Sequence, residues 1–147
     1  MREILFRGKG IDNGELVEGF LTKRPSAIHI GDYSPWYISV PPVDPDDSGG
    51  YYNVDPDTVG QYTGMKDMGG NRIFEGDIVA FKRVNALGYT TSRIGEVKYF
   101  DELPVFYIMA TTGDAWDWYQ CQEIQIIGNV HDHPELLKDG DTSGQNT

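Results

Sequence analysis

Apolar and polar residues alternate with a period of two over much of the chain, the spacing of a strand with one face buried. Near the start, Ile4 and Phe6 fall on one side and Glu3, Leu5 and Arg7 on the other. Gly10-Ile11-Asp12-Asn13-Gly14 then supplies turn residues, and ELVEGFL follows, which predicts an N-terminal β-hairpin. From Thr58 onward, TVGQYTG, RIFEGDIVAFKRV, RIGEVKYF, PVFYIMAT and EIQIIGNV read as short strands separated by Gly, Pro, Asn or Asp. In EGDIVAF, Asp77, Val79 and Phe81 share one face and Ile78, Ala80 and Lys82 the other, so one apolar set must be core. GDIV and GEVKY, about twenty residues apart, look like the paired ribbons of a small SH3-type barrel. The helical period is confined to HPELLKD (133–139), where Pro134 suits a first-turn position. The predicted fold is therefore mainly β. It comprises a small SH3-like antiparallel barrel in the C-terminal half, an N-terminal β-hairpin extension and a short C-terminal helical turn.

Residues 24–57 read differently. Pro25, Pro35, Pro41, Pro42, Pro45 and Pro56 each remove a backbone donor, so pairing is expected only in short pieces such as WYISV (36–40), within a long and partly mobile excursion. GDTSGQNT (140–147) has no apolar residue to bury and is expected to be a disordered tail. The reading is one β-rich domain over 1–139, with hairpin and excursion in 1–57 and the barrel-like part in 58–139.

The stretch QYTGMKDMGGNRIFEGDIVAF (61–81) carries glycines and acids that fit three uses: a phosphate cradle, a carboxylate site or a turn. A phosphate cradle needs a helix N-terminus behind its glycines, whereas here a strand follows and Glu75 and Asp77 add negative charge. Met68-Gly69-Gly70-Asn71 is better suited to a reversal at positive φ, and Gly76 to a bulge or a sharp bend where the next strand begins.

The chain has 147 residues, the size of a single domain. Cys121 is its only cysteine, so no intrachain disulfide or all-cysteine zinc site can form, which favours a reducing cytosol. MREILFRGKG is too short in apolar residues for a signal-peptide core, and no stretch approaches a membrane span, so a soluble cytoplasmic protein is expected. Twelve Lys plus Arg against 23 Asp plus Glu give a net charge of −11, which repels phosphate backbones and anionic lipid. Neither nucleic acid nor membrane is an expected partner.

Several groups could carry chemistry. Asp44-Pro45-Asp46-Asp47-Ser48-Gly49, with Asp55 further on, matches part of a calcium-loop pattern, but flanking prolines oppose the helices and the terminal Glu is replaced by Asp. His131-Asp132-His133 could offer two imidazoles to a metal if extended, or act as a strand exit and helix cap. Glu75, Asp77, Asp101 and Glu102 could pair for acid–base work, or bond local backbone N–H groups. Cys121 has no base nearby in sequence and reads as small apolar packing. Trp116-Asp117-Trp118-Tyr119, read as a strand, would project both tryptophans from one face. Core packing is the first reading for them and a contact surface formed by Trp116, Trp118 and Tyr119 the second.

Three blocks, MREILFRGKGIDNGELVEGFL, VDPDTVGQYTGMKDMGGNRIFEGDIV and EIQIIGNVHDHPELL, resemble in order the YopX-like proteins of bacteriophages and prophages. They cover around half of the chain; residues 34–50 and those after Leu137 fall outside them. The resemblance implies a mainly β fold with a small barrel toward the C-terminal half, in a bacterial host, and offers no established activity or catalytic residues. The expectation is a non-enzymatic phage accessory module with no cofactor and no metal, binding a host or phage protein or itself as a homo-oligomer. Two other readings stand beside it: an acidic mimic of DNA that occupies a host nucleic-acid-binding protein, and a metal-dependent hydrolase using His131, His133 and one or more acids.

Overall fold

The protein is described by a computed structural model over residues 2–24 and 34–138. The expected tail at 140–147 and part of the expected excursion, residues 25–33, lie outside the described residues. Among these, the chain is mainly antiparallel β: β1 Phe6–Gly10, β2 Leu16–Lys23, β3 Trp36–Val40, β4 Gly50–Lys66, β5 Arg72–Phe74, β6 Asp77–Val84, β7 Thr90–Phe100, β8 Val105–Ala110, β9 Ala115–Trp116 and β10 Gln122–Asn129. A single turn of helix, α1 (Glu135–Lys138), follows where HPELLKD predicts it. The strands form two five-stranded sheets. The chain divides into two compact units, Met1–Tyr62 and Thr63–Thr147.

In the first unit the predicted hairpin is β1–β2, closed by Gly10 N to Glu15 O at 2.8 Å and by the Asn13 side chain accepting from Glu15 N at 2.9 Å. β3 pairs with β2 and β4, and β4 pairs again with β1. Ile38 and Val54 are fully buried. β4 is longer than the prolines allow in the sequence reading, because Pro56 falls in a bulge. Arg7 pairs with Gly60 and Lys9 with Asp55, so residues 56–59 loop out of the ladder and no pairing donor is lost. The Thr58 hydroxyl fills the gap, accepting Lys9 N at 2.8 Å and donating to Asp55 O at 2.6 Å.

The sheet of the second unit runs β10–β6–β7–β8–β9. RIFEGDIVAFKRV is not one strand: Gly76, at φ +94°, breaks it into β5 and β6, which belong to different sheets. The odd set of β6 is the core face. Val79 and Phe81 join Ile73, Val97, Ile108 and Ala110 in one buried cluster, against which Trp116, Trp118, Ile124 and Ile126 pack. Ile78, on the opposite face, is also fully buried. Its cross-strand partner Gly128 leaves room for His133 and Leu136, since a Cβ there would stand 2.8 Å from His133 Nδ1.

Candidate functional site

The loop Asp67–Asn71 is a reversal, as its glycines predict, with Gly70 at φ +84°. The Asp67 carboxylate organises it, accepting Gly69 N and Asn71 N at 2.9 Å each and Ile126 N of β10 at 3.2 Å. Burial pushes the Asp67 carboxyl up, but the N–H donors of Asn71, Ile126 and Gly69 together outweigh it and hold it below the usual range. These donors belong to the protein itself, so the loop is a structural clamp.

Several other acids of the sequence reading, and His133, also serve nearby backbone. Asp77 is buried and accepts Phe74 N at 2.8 Å across the Glu75-Gly76 turn. Asp101 and Glu102 stand exposed in the β7–β8 turn. Asp44 accepts Asp46 N and Asp47 N, and Asp47 accepts Gly49 N and Val43 N, so this acidic segment is a self-bonded loop between β3 and β4. The Gly49 and Val43 donors lower the Asp47 carboxyl from its ordinary value. At the end of β10, buried Asn129 accepts His131 N at 3.0 Å and Asp132 N at 2.9 Å, and Asn129 N donates to His133 Nδ1 at 3.3 Å. The His-Asp-His run is thus folded around Asn129 ahead of α1 instead of lying extended. Among the described residues no three His, Cys, Asp or Glu side chains form a group able to hold a metal ion.

The aromatic run departs from the strand expectation. β9 ends at Trp116, and Trp118–Gln120 form a 3₁₀ turn closed by Gln120 N to Asp117 O at 3.0 Å, with Asp117 N donating to the Gln120 side chain. Trp116 and Trp118 pack on the core, and the Arg83 guanidinium covers the Trp116 ring at 3.9 Å. Tyr119 is 82 % exposed. Cys121 packs against the core, and burial, aided by the negative charge of Asp117, pushes its thiol up to about 11.

A further feature is absent from the sequence reading. β8 is apolar on both faces: Ile108 and Ala110 point into the core, while Val105, Tyr107 and Met109 point outward. With Phe100 of β7, Leu103, Ala115 and Asp117, these outward side chains line an open groove of about 380 Å³. The Phe100 and Tyr107 rings meet edge to face at 6.2 Å. Leu103 is 60 % exposed. Alternation identifies these positions, but cannot say which face of a doubly apolar strand is core.

A protein-family model described as YopX protein matches residues 36–138, more than half of the chain. The chain belongs to the YopX family. The YopX match contains the groove, the Asp67 clamp and the Asn129 turn, and leaves out β1 and β2. Among solved structures, the protein EF1440 from Enterococcus faecalis is similar, with 23 % sequence identity, a TM-score of 0.52, and coverage of 93 % of this chain and 99 % of that one. At this identity the likeness concerns the fold. No curated protein matches this YopX family member. Among its described residues no helix is long and apolar enough to cross a membrane.

Proposed function

We propose that this YopX family member is a non-enzymatic accessory module of phages and prophages that binds another protein through the outer face of β7–β8–β9. The observation that carries the reading is the groove. Phe100, Leu103 and Val105 keep apolar surface in water, at a cost of about 25 cal/mol per Å² that a partner would relieve. The groove also lies inside the region shared with the family. A groove in the first unit, about 520 Å³ around Ile4, Leu5, Phe6 and Phe20, lies outside it. The engagement of Asp67, Asp77, Asn129 and the acidic loop by backbone donors further favours binding over chemistry.

We read the second unit as a small SH3-like barrel. Trp116 of β9 and Ile124 and Ile126 of β10 come from opposite edges of one sheet yet pack on the same buried cluster, which a sheet achieves by curling on itself. A free thiol at Cys121 suits the reducing cytoplasm of a bacterial host.

The test is quantitative co-purification of the tagged protein from phage-carrying cells, comparing wild type with Leu103→Asp. Leu87→Asp serves as a control at an exposed apolar site in another turn. The reading predicts stoichiometric partners lost only with Leu103→Asp. An identical set for all three proteins would overturn it.

A further inference from the structure

We infer that the groove on β7–β8–β9 takes a segment of another protein that carries both apolar and Lys or Arg side chains. This rests on the protein-binding reading and adds the chemistry of the partner.

The argument is charge complementarity around an apolar floor. Asp117 lines the groove itself, and Asp101 and Glu102 form the exposed turn that joins Phe100 to Leu103. On the same face of β7 as Phe100 lies Glu96, cross-strand from Met109. Among the described residues of β7, β8 and β9 on this face, the cation beside these acids is Lys98, cross-strand from Tyr107. Burial, as the larger cause, raises the Glu96 pKa, and Lys98 is the first of the neighbours that offset this. An apolar floor with an acidic rim rewards a ligand whose aliphatic side chains cover the aromatic rings while its cations meet Asp101, Glu102 and Asp117.

The same arrangement opposes a second copy as occupant. Two molecules meeting groove to groove would bring their acidic rims together, each on a chain of net charge −11. Nucleic acid is opposed for the same reason.

The probes are three fluorescein-labelled peptides of about 14 residues in an amphipathic pattern: one of Leu and Lys, one of Leu and Glu, and one of Ser and Lys. Their affinities are read by fluorescence anisotropy against the full chain. Two variants, each checked for a wild-type melting curve, are Tyr107→Ser and the triple change Asp101→Asn, Glu102→Gln, Asp117→Asn. The Leu/Lys peptide is expected to bind at least about tenfold more tightly than either other peptide, and each variant to lose about tenfold of that affinity.

Equal binding of Leu/Lys and Leu/Glu peptides, unaffected by the triple change, would overturn the charge preference and leave the protein-binding reading standing. Equal binding of Leu/Lys and Ser/Lys peptides, unaffected by Tyr107→Ser, would mean attraction to an acidic protein without use of the groove, and would overturn the inference. A concentration-dependent dimer in sedimentation, abolished by Tyr107→Ser, would assign the groove to a second copy and overturn it as well. Were no peptide to bind while Leu103→Asp still lost its co-purifying partners, only the partner chemistry would fall. If that loss were absent too, both readings would fall.

Discussion

The Asp67 carboxylate accepts the Ile126 N–H at 3.2 Å across 59 residues of sequence, while the next residue, Met68, donates its N–H to Ile124 O at 2.8 Å. Both contacts fall where β10 is irregular. Its register against β6 shifts between Gln122 and Gln125 and again between Ile126 and Gly128, and Glu123 sits at φ +50°. Each bulge turns backbone groups away from the ladder, and a loop from elsewhere in the unit satisfies them. The same loop covers part of the outer edge of β10, a place where another strand could otherwise add.

Asp67→Asn should therefore destabilise the second unit by about 1–3 kcal/mol, because an amide presents an N–H₂ to donors that now meet a carboxylate oxygen. Urea denaturation at pH 7 measures this. Since the folded Asp67 pKa lies below its ordinary 3.8, the wild type holds this stability above that value and loses it as pH falls through the folded pKa. The gap between wild type and variant should narrow in the same range.

Val79→Asp should abolish folding of the second unit, since it places an unpaired carboxylate in a fully buried position beside Phe81 and Val97. Loss of native near-ultraviolet circular dichroism is the expected result, and a wild-type melting curve would contradict the core assignment.

Much of this core is legible in the sequence, and the reasons for success and failure differ from residue to residue. Alternation makes 77–81 a strand with Val79 and Phe81 on one face and Ile78 and Ala80 on the other, but leaves open which face is core, and Ile78 is buried too. Local pattern suffices for Trp36–Val40 and for the positive φ at Gly70. The return of β4 to β1 is not legible. It depends on Thr58 replacing a backbone acceptor beside Pro56, a contact made 49 residues away at Lys9. Nor could the sequence place Trp118 in a 3₁₀ turn, because alternation of Trp116 and Trp118 looks the same whether the chain stays extended or not. The groove escapes for a related reason: Val105, Tyr107 and Met109 are as apolar as the core-facing residues between them.

Cys121 should react slowly with a thiol reagent. A pKa near 11 instead of 9.0 lowers the thiolate fraction at pH 8 by roughly a hundredfold, and reaction with dithionitrobenzoate should slow in proportion. Unfolding in urea should restore the rate of a free thiol, and Asp117→Asn should raise the native rate because it removes the second cause.

Glu96→Gln should stabilise the protein at neutral pH. Burial, the largest cause, raises the Glu96 pKa against the opposing pull of Lys98 and His131, with Glu75 adding to the rise. An acid raised on folding costs stability in full above its folded pKa, and the cost disappears below the ordinary value of 4.5. The variant should melt higher than wild type at pH 7 and at the same temperature at pH 3.5, as followed by thermal circular dichroism.

The most direct measurement of the central claim is site-specific photo-crosslinking in phage-carrying cells, with benzoylphenylalanine placed at Tyr107 in the groove or at Leu87 in the β6–β7 turn. A discrete crosslinked protein from Tyr107, absent from Leu87 and lost when Leu103→Asp is added, is the predicted result. Crosslinks of equal yield from both positions, or none from Tyr107, would contradict the assignment of this face as a binding surface.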